Sequence, residues 1–126
     1  MIVGIGIDTV KVSRIQQALM RFGQRFAEKI LTTDELIRFR KHGQPARYLA
    51  KRFAVKEAFS KAIGTGIRTP VTWKNIGTKH HASGAPFLQF SATLSELVIE
   101  KGITKTHLTV TDEENLAIAF VILEGD

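Results

Sequence analysis

A carboxylate and an ammonium stand four residues apart at Glu57 and Lys61, preceded by Arg52 and Lys56. On a helix that spacing puts Glu57 and Lys61 on one face. As a surface ion pair they would support the helix by only a few tenths of a kcal/mol. As part of a site they place opposite charges side by side. Asp8 is the second singular residue: it ends the apolar run Ile2 to Ile7, where an unpaired carboxylate is expensive. Such an aspartate either starts a turn or caps the next helix, or it meets a second carboxylate around a hard cation. Magnesium takes one or two protein carboxylates and completes its shell with water and phosphate oxygens. Asp8 and Glu57 would suffice, although spacing alone does not bring them together. The chain has no cysteine, which excludes disulfides, thiolate metal sites and a cysteine nucleophile.

These residues must be positioned by the elements around them. Ile2 to Ile7 is short, apolar and β-branched, and reads as a buried strand. Ser13 and Gln16 have the spacing of a capping box, and Ile15, Leu19 and Phe22 follow at helical spacing up to Gly23. Thr32 and Glu35 form a second capping-box pattern for a helix through Leu36 and Phe39. Pro45 suits the first turn of a third helix, which runs without a breaker to Gly64. Beyond it, a short strand is expected near Val71 to Trp73, another at Phe87 to Phe90, a helix through Leu94, Leu97 and Val98 to Gly102, and two strands in His107 to Thr111 and Leu116 to Leu123. Phe53, Phe59, Phe87, Phe90 and Phe120 have the spacing of packing residues, with Trp73 partly exposed. The order of elements implies an α+β fold, the long central helix packed on a small, mainly antiparallel sheet. No repeat or linker divides residues 1–126, so one domain is expected.

The balance of 44% hydrophobic and 24% charged residues is that of a soluble globular protein. No apolar run nears the ~20 residues that cross a bilayer, and the N-terminus lacks the basic region of a signal peptide. A cytoplasmic protein without a membrane role is the expectation. Eighteen Lys and Arg against twelve Asp and Glu leave a net charge of +6, which asks for an acidic partner. Nucleic acid is the poorer choice: basic and acidic residues interleave, and no recognised nucleic-acid-binding motif is present.

Gly6-Ile7-Asp8, then Val10, then Arg14-Ile15, form one motif, and Arg52-Phe53-Ala54-Val55-Lys56-Glu57-Ala58 with Lys61-Ala62 and Gly64 form a second. In order and separation they resemble the two motifs of the holo-acyl-carrier-protein synthases, a family of 4′-phosphopantetheinyl transferases. The resemblance implies transfer of the phosphopantetheine arm of coenzyme A to a serine of an acyl carrier protein, releasing 3′,5′-ADP, in support of fatty acid biosynthesis. It implies magnesium at Asp8 and Glu57. It puts Lys61 on the coenzyme A phosphates as an aid to the leaving group, and Arg52 near the nucleotide end. Gly64 and the loop Ser83-Gly84-Ala85-Pro86 are expected beside the coenzyme A. The carrier serine needs a base, and Glu57 through a metal-bound water comes first, Asp8 second. Lys11, Arg14, Arg21, Arg25 and Lys29 make one basic stripe if the first helix continues past Gly23. The resemblance implies that Arg14 pairs with carrier carboxylates there. It also implies a homotrimer with each site between two subunits. Where many members carry Ser-x-Ser-His, this chain has Thr109-Val110-Thr111-Asp112, so the role of that histidine does not transfer. His107 is a weaker candidate near the cleft, and His80 and His81 read as an exposed loop. An inactive scaffold of the same fold is the alternative function.

Overall fold

The computed structural model describes Met1 to Asp126. The chain runs β1 (Ile2–Lys11), α1 (Val12–Phe22), α2 (Gln24–Ile30), α3 (Thr33–Lys41), α4 (Pro45–Ile63), β2 (Ile76–His80), β3 (Pro86–Phe90), α5 (Ala92–Glu100), β4 (Ile103–Glu113) and β5 (Leu116–Gly125). It is the α+β arrangement expected. β5 is the middle strand of a three-stranded sheet, antiparallel to β1 on one side and β4 on the other, while β2 and β3 form a separate hairpin.

The near-continuous apolar run of β5 divides by alternation. Ala117, Ala119, Val121 and Leu123 are fully buried against α4, and Ile118, Phe120 and Ile122 point to the other face. α4 lies along the sheet with Ala50, Ala54, Val55, Ala58 and Phe59 fully buried. Small residues on both sides bring β1 against this helix. A Cβ added at Gly4 would collide with the Ala62 carbonyl, and one at Gly6 with the Ala58 carbonyl. These glycines serve close backbone approach rather than a phosphate-cradling turn.

The long helix begins with Pro45 in its first turn and ends at Gly64 in the left-handed region, φ 87°. The capping box at Thr32 and Glu35 is present with both reciprocal bonds. Other expectations need correction. Ser13 is not a cap: α1 already starts at Val12, and Lys11 holds the N-cap position with no side-chain bond. The first helix does not continue past Gly23, whose φ of 66° breaks it into α1 and α2, so four helices rather than three precede the hairpin. Val71 makes only an isolated bridge to Arg68, and Trp73–Asn75 is a 3-10 turn; the strand begins at Ile76. Phe120 belongs not to the core but to the outer sheet face, flanked by Thr109 on β4 and Ile7 on β1. That face is apolar and uncovered, with Ile5 61% and Ile7 54% exposed.

Candidate active site

β1 does not end at Asp8, as the apolar run suggested, but carries it as an inward-facing strand residue between Gly6 and Val10. The close approach of β1 to α4 therefore sets Asp8 against the helix. Lys61 Nζ lies 3.0 Å from Asp8 Oδ1 and donates to the Ile7 carbonyl at 3.1 Å. Lys61 thus pairs with the strand rather than with Glu57, its expected helical partner. Glu57 has no ion-pair partner. Burial pushes its carboxyl above the ordinary 4.5, the Asp8 carboxylate pushes it further, and Lys61 pulls it back.

Two carboxylates close enough to disturb each other, with an ammonium beside them, are relieved by a further cation. No third His, Cys, Asp or Glu joins the group. A two-oxygen donor set with open positions suits magnesium, which keeps waters and takes phosphate oxygens, and does not suit a structural zinc. The Lys61 side chain is 52% exposed against 14% for Asp8, so the lysine forms the open side of the recess.

Lys56, next to Glu57 in sequence, points the other way. Its Nζ is fully buried and donates to Glu35 Oε1 at 2.7 Å, the Ile30 carbonyl at 2.6 Å and the Trp73 carbonyl at 2.9 Å. Glu35 also accepts from the backbone N–H of Thr32 and Thr78. One buried pair thus joins the end of α2, the cap of α3, the 3-10 turn and β2 to the long helix. Burial lowers the Lys56 pKa and Glu35 opposes that shift.

Arg52 is 5% exposed, with its guanidinium 4.7 Å from the centre of the Tyr48 ring. Its Nε and the Tyr48 hydroxyl are buried without hydrogen-bond partners. Arg52 and Tyr48 line a cavity of about 340 Å³ with Arg38, Lys41, His42 and Lys51. Burial and then the charges of Arg52, Arg38 and Lys51 hold the His80 pKa down, so the positive field of this cavity reaches β2. Of these residues only Arg52 was singled out in the sequence. The readable signal was the pair of basic clusters Arg38–Lys41–His42 and Lys51–Arg52 on neighbouring helices.

Gly64 is the left-handed cap that ends α4, three residues beyond Lys61. Ser83 and Gly84 belong to the exposed turn joining β2 to β3, where Gly84 has φ 94° and donates to the His81 carbonyl at 2.9 Å, and Pro86 is the half-buried first residue of β3, opposite His80. No hydrogen bond ties this turn to the Asp8 recess. His81 stacks on Phe87 with ring centres 4.4 Å apart. Arg14 and Arg21 are exposed on α1, two turns apart on one side, whereas Arg25 lies on α2 beyond the break at Gly23. His107 is not near the recess: it faces the outer side of the sheet and meets Glu124 at 2.9 Å. Asp112 is held by Arg47 at 2.9 Å and Lys51 at 3.4 Å. It is an ion-paired anion beside the basic cavity.

Residues 4–121 match the family model described as the 4′-phosphopantetheinyl transferase superfamily. A holo-acyl-carrier-protein synthase of Nitrosospira multiformis is 52% identical over 124 residues, 98% of this chain and 99% of that protein. The crystal structure of the holo-acyl-carrier-protein synthase from Neisseria meningitidis superposes with a TM-score of 0.96 at 49% identity, covering 98% of this chain and 99% of that one. The enzyme of the same name from Bacillus anthracis, in complex with CoA (3′,5′-ADP), superposes with a TM-score of 0.83 at 34% identity over 100% of this chain and 99% of that one.

Proposed function

Because the chain belongs to the 4′-phosphopantetheinyl transferase superfamily, we propose that it moves the 4′-phosphopantetheine group of coenzyme A onto a serine of apo acyl carrier protein, giving the holo carrier and adenosine 3′,5′-bisphosphate. The observation that carries this reading is the recess of Asp8, Glu57 and Lys61, formed where β1 packs on α4, in a chain so similar throughout its length to holo-acyl-carrier-protein synthases.

The reaction attacks one phosphorus of a pyrophosphate, and negative charge grows on the bridging and non-bridging oxygens as the leaving group departs. Asp8 and Glu57 are the residues that would hold magnesium, which when bound supplies positive charge to those oxygens. Lys61 is half exposed and hydrogen-bonded only on its Asp8 side, so it can turn a donor to the same phosphate. Glu57 is our choice to accept the serine proton. No lysine or arginine of the chain pairs with its carboxylate, which leaves it an available acceptor beside Asp8 and Lys61. Asp8, tied to Lys61, is the second choice.

The cavity around Arg52 suits the phosphorylated nucleotide end of coenzyme A, because Arg38, Lys41, Lys51 and Arg52 all line it. Gly64, Ser83, Gly84 and Pro86 are proposed to line the rest of the path. Arg14, Arg21 and Arg25 would meet carboxylates of the acidic carrier, steering encounter more than deepening affinity. Their contribution should fade as salt rises. The apolar outer face of the sheet supports self-association, and a homotrimer with shared clefts is the assembly we propose. No helix is long and apolar enough to cross a membrane. A cytoplasmic role in fatty acid biosynthesis completes the reading.

Intact-mass spectrometry tests it. An apo carrier incubated with this protein, coenzyme A and magnesium should gain one phosphopantetheine group, and a chelator should stop the gain. Glu57→Gln and Asp8→Asn should each fold and lose about a hundredfold or more of the rate, the scale of losing a preorganised electrostatic stabiliser. No gain with several carriers, the host's own included, would favour a scaffold that keeps the shape without the chemistry.

A further inference from the structure

Helix α1 begins without a cap of its own. Lys11 supplies no side-chain acceptor at the N-cap, and no acidic residue stands in the first turn. The N–H groups of such a turn are left without intrahelical partners. Here the far end of the chain satisfies two of them. Asn115, between β4 and β5, accepts from the Val12 N–H through its backbone carbonyl at 2.9 Å and from the Ser13 N–H through Oδ1 at 2.9 Å. Its Nδ2 then donates to Ser13 Oγ at 3.0 Å. A single residue thus caps a helix 102 positions away.

The turn that carries Asn115 is itself held. Arg47, in the first turn of α4, bonds the Asp112 carboxylate and the Glu114 carbonyl, and Lys51 reaches the other Asp112 oxygen. The first turns of α1 and α4 are therefore tied to one loop. They flank an open groove of about 470 Å³ whose walls include Val12, Gln16 and Leu19 on one side and Pro45 and Arg47 on the other. Arg14 directly follows the capped Ser13, and Arg21 lies two turns along the same helix.

We propose that Asn115 is a positioning residue for the acyl carrier protein: by capping α1 from the β4–β5 turn, it fixes the direction in which Arg14 and Arg21 are presented. This rests on the reading of α1 as the carrier-docking helix. The Asp8 recess is held separately, by the packing of Gly4 and Gly6 on α4. Loss of the cap therefore acts on carrier recognition and leaves the coenzyme A side alone.

Steady-state kinetics with carrier and coenzyme A varied separately tests this. Asn115→Ala should raise the carrier KM about fivefold, the size of a lost N-cap, with the coenzyme A KM and kcat held within about twofold. Asn115→Asp should restore the carrier KM, since it keeps the Oδ acceptor and its charge suits a helix N-terminus. Ser13→Ala, which removes only the hydroxyl end of the clamp, should give a smaller rise and serves if Asn115→Ala does not fold. An equal rise in both KM values, an unchanged carrier KM, or no rescue by Asn115→Asp would each overturn the proposal. Arg14→Ala in the same assay separates the two readings. If it leaves the carrier KM unchanged, the docking role of α1 falls and the proposal with it. If it raises that KM while Asn115→Ala does not, only the role of Asn115 is lost.

Discussion

Lys56 and Lys61 stand on the same helix, five residues apart, and the ammonium of each lies within 3.0 Å of a carboxylate oxygen. The surroundings divide their roles. Lys56 is wholly buried and spends its three donors on Glu35, Ile30 and Trp73. It has nothing left for a ligand, and what it holds together is protein. Lys61 is half exposed and is bonded only toward β1. It keeps a donor that no protein group uses. The identity of a charged residue in a motif is thus a poor guide to its role; the completeness of its partner set is the better one. Glu57, between the two lysines, poses the same question from the acidic side, because no side chain pairs with its carboxylate.

The contrast can be broken most forcefully at Lys56. Lys56→Met leaves the Glu35 charge buried without its cation and should cost about 3–5 kcal/mol, read as a lowered urea midpoint. The double variant Lys56→Met with Glu35→Leu should recover part of that loss. Recovery is partial because Glu35 also serves the N–H groups of Thr32 and Thr78. If Lys56→Met leaves stability unchanged, the assignment of this lysine to structure fails. Lys61→Met should do the reverse: transfer slows by about a hundredfold while stability moves by less than about 1 kcal/mol, as expected for a half-exposed pair. A large loss of stability there would erase the distinction.

A smaller effect sharpens the comparison at Glu57. Carbon-detected titration of its carboxyl should give a pKa above 4.5. Asp8→Asn should lower that value by removing a neighbouring negative charge, and Lys61→Met should raise it by removing a positive one. Movement in the opposite directions would show that the three groups do not share one recess. The smallest effect is on stability. A carboxyl whose pKa is raised on folding favours the folded state while protonated. Its contribution is full below the unfolded value and is lost as pH rises through the raised folded value. Glu57→Gln should therefore lose less stability than the wild type as pH rises from below 4.5 through that range, measured by melting temperature against pH.

Local signals were legible in the sequence where the structure itself is local. The long helix, its Pro45 start and Gly64 end, and the Thr32–Glu35 capping box each follow from residues within a few positions of one another. Asp8 and Glu57 stood out because one carboxylate follows an apolar run and the other lies in a dense charged segment. What escaped depends on contacts across long stretches of chain. Glu35 reads as a helix cap, and nothing near it announces a buried lysine 21 residues on. Ser13 has the right type for a cap, yet the bond comes from Asn115, 102 residues away. Phe120 sits in a run with no visible alternation, and only the register of β5 sends it outward. Gly23 fits a helix end and a helix interruption equally well until a second helix is seen to follow it.

Gly4 and Gly6 have a further consequence for anyone who would re-engineer this enzyme. Where a strand rests on a helix through side chains, substitutions can slide the two apart by fractions of an ångström. Here the chains touch through main-chain atoms, and no rotamer stands between them. The spacing of the strand carboxylate from the helix carboxylate is then a fixed gauge, insensitive to repacking elsewhere in the core. Libraries that seek new donors or acceptors for the transfer should vary the rim of the recess and leave its floor alone. Gly6→Ala would shift the gauge itself, and no compensating change on α4 smaller than a displaced helix would reset it.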